Sequence, residues 1–178
     1  MTSEEDSPDA DAGRVHARGR ALRPEAEGTL LGTCTDLLIE YEGADPTNER
    51  VRSLAWVFVH RPETYVAGAP AEAPHYKFVC QVPEGQYDEA RRVAVTKAMT
   101  EALVDAEGGR WPDPEARAWV FTVEVPDGTW GGLGGRVLTM PDIAEFVVGE
   151  AGRRYGERRL AARRREQAHV LREAAEAN

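Results

Sequence analysis

An α+β fold built from two tandem β-α-β units sharing one sheet is the architecture this sequence predicts, and three observations predict it. The run 118–135, AWVFTVEVPDGTWGGLGG, reads as a strand, a tight turn, an aromatic and a glycine-rich hairpin. A second copy, AWVFVHRPETYVAGAP, occupies 55–70. Both copies begin Ala-Trp-Val-Phe, pass a proline and an acid to a threonine plus an aromatic (Thr64-Tyr65, Thr129-Trp130), and end in small residues. They start 63 positions apart, which sets a repeat of roughly that length. Third, an amphipathic helical pattern precedes each copy.

Residues 1–13 carry five acids and no basic residue, which predicts a disordered acidic tail. Val15 to Arg18 is a weak strand candidate, followed by Gly19-Arg20. Pro24 suits a first helical turn, where a missing N–H is harmless. Leu30, Leu31, Cys34, Leu37, Leu38 and Tyr41 then share one helix face, up to a stop near Gly43. Residues 44–48 read as loop and Leu54 to His60 as the unit's second strand, with the hairpin and linker in 63–74. His75 to Val82 alternates with a period of two, as a strand does, and Pro83-Glu84-Gly85 turns the chain. Val95, Met99, Ala102 and Leu103 mark the second helix, which ends near Gly108-Gly109. After the second copy, Arg136 to Met140 reads as a short strand and Pro141 onward as a short helix. The domain therefore spans 14–149, with units 14–74 and 75–149. The remainder, 150–178, holds eight arginines and five glutamates with a weak apolar stripe. It predicts an Arg-rich helical tail, solvated or docked on a neighbouring subunit.

The net charge of −9 over 178 residues disfavours nucleic acid or an anionic membrane as a main partner. No apolar run has transmembrane length, and the acidic N-terminus lacks the apolar stretch of a secretory signal. Cys34 falls mid-helix and Cys80 mid-strand, the setting of buried free thiols, which suits a reducing cytoplasm and disfavours a Cys34–Cys80 disulfide. No Cys/His/Asp cluster has metal-ligand spacing, so neither a metal nor a cofactor is expected.

Tandem β-α-β units of this length, each closed by a Gly-rich hairpin, resemble the tautomerase superfamily and its fused two-unit members. The stretch Glu124-Val125-Pro126-Asp127-Gly128-Thr129-Trp130-Gly131-Gly132 carries most of the resemblance. Val82-Pro83-Glu84-Gly85 is similar to the family's first-strand exit, and Tyr65-Val66-Ala67-Gly68 to the hairpin of dehalogenase-like members. The resemblance implies a homo-oligomer, a trimer of two-unit chains, with sites at sheet ends between subunits. It also implies small keto or unsaturated carboxylates as ligands. The family's reaction uses an N-terminal proline whose free amine moves a proton. Here Thr2 follows Met1, and Pro8 and Pro74 are internal amides without a basic lone pair. Pro8 becomes a usable amine only if residues 1–7 are removed.

The other family roles are partly filled. Arginines hold carboxylates through paired planar hydrogen bonds. Arg20 occupies the first unit's strand-exit position, whereas Gln86 stands there in the second. Trp56 and Trp119 stand early in the second strands, where the family has an arginine, with Arg52 and Arg117 nearby. Tyr65 and Trp130 match the pocket aromatics, although packing alone also explains them. His75, at a strand start beside Pro74, is the first substitute base, since histidine titrates near ~6.5. His16 and His60 are weaker candidates of the same kind, and Glu84 and Glu124 read as turn and hairpin support. Two functions stay open: a tautomerase-like enzyme, or a proline-less relative that binds a small acid or serves as a subunit or scaffold.

Overall fold

The structure is a computed structural model and describes residues 21–177. The candidate strand Val15–Arg18, the acidic tail, Pro8, His16 and Arg20 lie outside those residues. The chain runs α1 (Pro24–Tyr41), α2 (Glu49–Leu54), β1 (Tyr65–Val66), β2 (Ala69–Pro70), β3 (Tyr76–Pro83) and α3 (Glu89–Glu107). A 3-10 turn (Pro114–Arg117) leads to β4 (Ala118–Val125), β5 (Trp130–Gly132), β6 (Arg136–Leu138), α4 (Met140–Val148) and α5 (Glu150–Glu176).

The second unit forms as its pattern demands. β3 and β4 are parallel and in register from Tyr76 opposite Ala118 to Pro83 opposite Val125. Asp88 caps α3 by accepting from the Arg91 N–H at 2.9 Å. Gly108, at φ 58°, ends the helix in a left-handed conformation that glycine adopts without strain. The core lies between one sheet face and two helices: Cys80 and Val82 of β3 pack with Val95, Met99 and Leu103 of α3 and with Leu30 and Cys34 of α1. Fully burying each large side chain stabilises the fold by roughly 1.5–3 kcal/mol. Both cysteines are free and buried. Burial pushes each thiol up to about 11, so neither is a thiolate near neutral pH.

The first unit departs from expectation. Leu54 ends helix α2 instead of starting a strand, because Asn48 caps that helix by accepting from the Arg50 N–H at 3.0 Å. Residues 55–60 pair with no described strand. Their side chains nevertheless mimic β4. Trp56 and Phe58 meet edge to face at 6.4 Å, and Trp119 and Phe121 do so at 6.2 Å. The described residues form three separate two-stranded sheets, so the single shared sheet is not seen among them.

The C-terminal helix docks on its own chain over its first half. Gly152 and Gly156 let α5 cross α4 closely: a Cβ on Gly152 would stand 2.0 Å from the Ala144 carbonyl oxygen. Leu160 is buried, and the arginines beyond it reach carboxylates at the exits of β3 and β4. The solvated tail expected from the charge run therefore applies to the distal half, where residues 164–176 are exposed. Among the described residues no helix is long and apolar enough to cross a membrane.

Candidate functional site

The entrance of β3 is fixed by an ion pair. Arg117, 8% exposed, donates from both terminal nitrogens to the Glu107 carboxylate, at 2.9 and 2.5 Å. It also donates to the Pro74 carbonyl at 2.5 Å and the Pro112 carbonyl at 2.9 Å. These bonds to Glu107 strengthen the hold on the guanidinium's proton, against the opposing effect of burial. Tyr76 stands against the pair, and its hydroxyl is buried without a hydrogen bond of ordinary length. Burial first, and then the Glu107 carboxylate, push that phenol well above its usual range. Arg52 is likewise engaged, pairing with Asp36 and donating to the Pro46 carbonyl at 2.8 Å. Neither arginine near the second-strand starts is free to hold a carboxylate.

His75 follows Pro74 directly and is exposed. Its Nδ1 lies 3.0 Å from the Ala73 carbonyl oxygen. A proton on Nδ1 donates there and leaves Nε2 as an acceptor, the form a base needs. Tyr65 opens hairpin β1–β2, whose two-residue turn has Ala67 at φ 51° and Gly68 at φ 83°. Two positive φ values in succession make the type I′ turn that suits a tight hairpin. Trp130 opens hairpin β5–β6, opposite Leu138. His75, Tyr65 and Trp130 all line one open trough of about 1900 Å³, between α1, segment 55–65, β3 and the β5–β6 hairpin. No hydrogen bond joins the three among the described residues. A pocket for one small ligand holds roughly 300–1,000 Å³, so the trough is wide enough for more than one site.

Glu84 and Glu124 support the turns. Glu84 accepts from the Asp127 N–H at 2.9 Å, and Glu124 accepts from the Gly85 N–H at 3.2 Å. At the exit of β3, Gln86 stands 7% exposed. Its amide nitrogen faces the Glu42 carboxylate at 3.3 Å, while its side-chain oxygen has no partner. Arg91 and Arg159 donate to the Gln86 backbone carbonyl at 3.1 and 2.6 Å. Glu42 is the C-cap of α1. There the helix dipole disfavours a negative charge. Burial pushes this carboxyl up to about 7, and the Gln86 amide only partly opposes it. Sequence reasoning missed Glu42. The signal that it carried was an acid, rather than a base, beside the terminating glycine of a helix.

Among the described residues no group of three His, Cys, Asp or Glu side chains is placed to hold a metal ion. No family model matches the chain, and no curated protein matches it. A solved structure does: the crystal structure of Pt0534 inactivated by 2-oxo-3-pentynoate, at 23% identity over 66% of this chain and 87% of that one, with a TM-score of 0.53. At that identity the likeness shows the fold alone, an α+β arrangement.

Proposed function

We propose that the protein is a tautomerase-like enzyme acting on small keto or unsaturated carboxylates. The observation that carries this reading is the fold shared with Pt0534, a protein inactivated by a small 2-oxo acid bearing a triple bond. In this reading Arg20 holds the substrate carboxylate, and Tyr65 and Trp130 wall the pocket. His75, through Nε2, or Pro8 after removal of residues 1–7, moves the proton next to the carbonyl. An aromatic wall excludes water and so strengthens each electrostatic contact inside. The test is ketonisation of phenylenolpyruvate and of 2-hydroxymuconate. Saturable turnover is expected, with Arg20→Ala raising KM several-fold. Absence of turnover on both substrates would remove the enzymatic reading.

The engagement of Arg52 and Arg117 favours a second reading, in which a proline-less relative keeps the fold, lacks the reaction, and binds a small acid or acts as a subunit or scaffold. A homo-oligomer, a trimer by the family resemblance, is part of both readings. Its support is the outer face of β3 and β4, where Val79, Trp119, Phe121 and Val123 are 53%, 68%, 41% and 42% exposed. Apolar faces of this kind mark association surfaces. Native mass spectrometry reads the state directly. Two free buried thiols fit a reducing, cytoplasmic setting.

A further inference from the structure

β3 spans eight residues, so its two ends lie roughly 25 Å apart at ~3.3 Å per residue. His75 stands at the entrance, and a substrate of a few carbons beside it does not reach the exit. The exit end of the trough has its own polar group. Glu42, Gly43, Gln86 and Tyr155 line it. Tyr155 crosses from α5, and a Cβ on Gly43 would stand 3.5 Å from its hydroxyl. Two observations there ask for a proton. Glu42 has no ion pair among the described residues, and the buried Gln86 side-chain oxygen has no donor. A protonated Glu42 supplies one: with the Gln86 amide turned over, the carboxyl O–H donates to that oxygen. With Glu42 ionised, the amide nitrogen donates to the carboxylate, as observed. Either protonation state thus keeps one hydrogen bond between the two side chains.

We propose that Glu42 and Gln86 form a second proton-transfer site at the exit end of β3, with Glu42 exchanging a proton at the carbon beside the carbonyl of a small 2-oxo acid and Gln86 positioning the carboxyl group. This assignment rests on the tautomerase-like reading above. In the enol-to-keto direction the C=C electron pair takes the Glu42 proton at carbon. The enol O–H bond pair becomes the carbonyl π bond, and the released proton returns through water to the carboxylate. The balance is an isomerisation with Glu42 regenerated and no co-reactant. Tyr41 precedes Glu42 on α1, Gln86 donates to its carboxylate and Tyr87 feels its charge from the β3–α3 connection, Tyr155 of α5 lines the same end of the trough, and Arg91 of α3 and Arg159 of α5 are engaged by the Gln86 carbonyl. Burial raises the carboxyl to about 7, where a group gives and takes a proton most effectively.

The test combines a titration with turnover in the full chain. Carboxyl-selective NMR assigned through Glu42→Gln is expected to give a Glu42 midpoint near neutrality, moved higher by Gln86→Leu, which removes the amide donor. A midpoint in the ordinary carboxylate range overturns the proposal whatever the activity. Glu42→Gln keeps the shape and is expected to remove the exit site's share of phenylenolpyruvate turnover together with its pH limb near neutrality, leaving the turnover that depends on His75. Unchanged kcat and pH profile in Glu42→Gln overturn this site and leave the tautomerase-like reading standing on His75. Absence of turnover in the wild-type protein overturns both.

Discussion

Replacing Arg117 by methionine tests whether the β3 entrance is held by the ion pair. The substitution keeps an apolar stem of similar reach and leaves the Glu107 side chain, which is 0% exposed, without its cation. Breaking a buried pair by removing one partner destabilises by roughly 3–5 kcal/mol, because the remaining charge stays buried. For a chain of this size that lowers Tm by roughly 6–20 °C. Glu107→Leu alone should be costly for the same reason. The double variant Arg117→Met with Glu107→Leu should recover most of the loss, since a buried pair replaced by apolar side chains is close to neutral. Recovery stays incomplete because the Pro74 and Pro112 carbonyls lose their donor. That leaves a deficit of about 1–3 kcal/mol. Urea denaturation of the four proteins gives the cycle directly. A loss below about 1 kcal/mol in Arg117→Met, or simple additivity in the double variant, would refute the reasoning.

The Glu42 carboxyl predicts a pH dependence of stability. Its folded-state value is raised from 4.5 to about 7, so the native chain holds a proton that the unfolded chain has released. Wild-type stability should therefore fall as pH rises through that window, by up to ~3 kcal/mol, while Glu42→Gln removes this component. Denaturation series at pH 5 and pH 8 check it, and parallel changes in the two proteins would sink it. Two helical glycines should respond oppositely to alanine. Gly28 has open space around its Cβ position, so Gly28→Ala should stabilise by roughly 0.5–1 kcal/mol. Gly152→Ala places a carbon 2.0 Å from the Ala144 carbonyl oxygen and should cost at least the ~1–3 kcal/mol of overpacking. Equal Tm shifts in the two variants would contradict the crossing geometry.

The second unit was legible because local signals agreed with one another. Alternation over 76–82, a turn at Pro83 and a helical stripe through Val95, Met99 and Leu103 all point to the β-α-β unit that forms. The first unit was harder because two local signals compete at Leu54. The apolar run pulls it into a strand, while the Asn48 cap pulls it into α2, and the cap wins. His75, Tyr65 and Trp130 were legible as residues, and they share a trough. Glu42 was not legible, because its raised pKa comes from burial beside Gln86, 44 positions away. Helix α5 misled for the same reason. Its arginines look solvated in a charge run, yet Arg163 finds Glu124 39 positions back in the chain, and Arg164 finds Asp127 37 back.

Those contacts give α5 an electrostatic role at the sheet exits. Glu84, Glu124 and Asp127 are gathered there by the turns that follow β3 and β4, and each accepts a backbone N–H. Three like charges at one sheet end repel unless cations stand among them. Arg92 reaches Glu124 at 3.3 Å from α3. The others come from α5: Arg163 to Glu124 at 2.9 Å, Arg164 to Asp127 at 3.0 Å, with Gln167 donating to Glu84 at 3.2 Å. The carboxylates are only 12% and 10% exposed at Glu124 and Asp127, so these pairs are less screened than surface ones. Ending the chain after Gly149 removes both arginines together with the buried Leu160. The lost Leu160 burial, roughly 1.5–3 kcal/mol, is indifferent to charge and should remain at any salt concentration. The lost ion pairs leave repulsion that salt screens. The truncated chain should therefore gain stability from 0.05 to about 0.5 M salt, while the full chain changes little or loses slightly. Denaturation midpoints at the two salt concentrations separate the components, and identical salt slopes in the two proteins would show that α5 contributes packing without charge compensation.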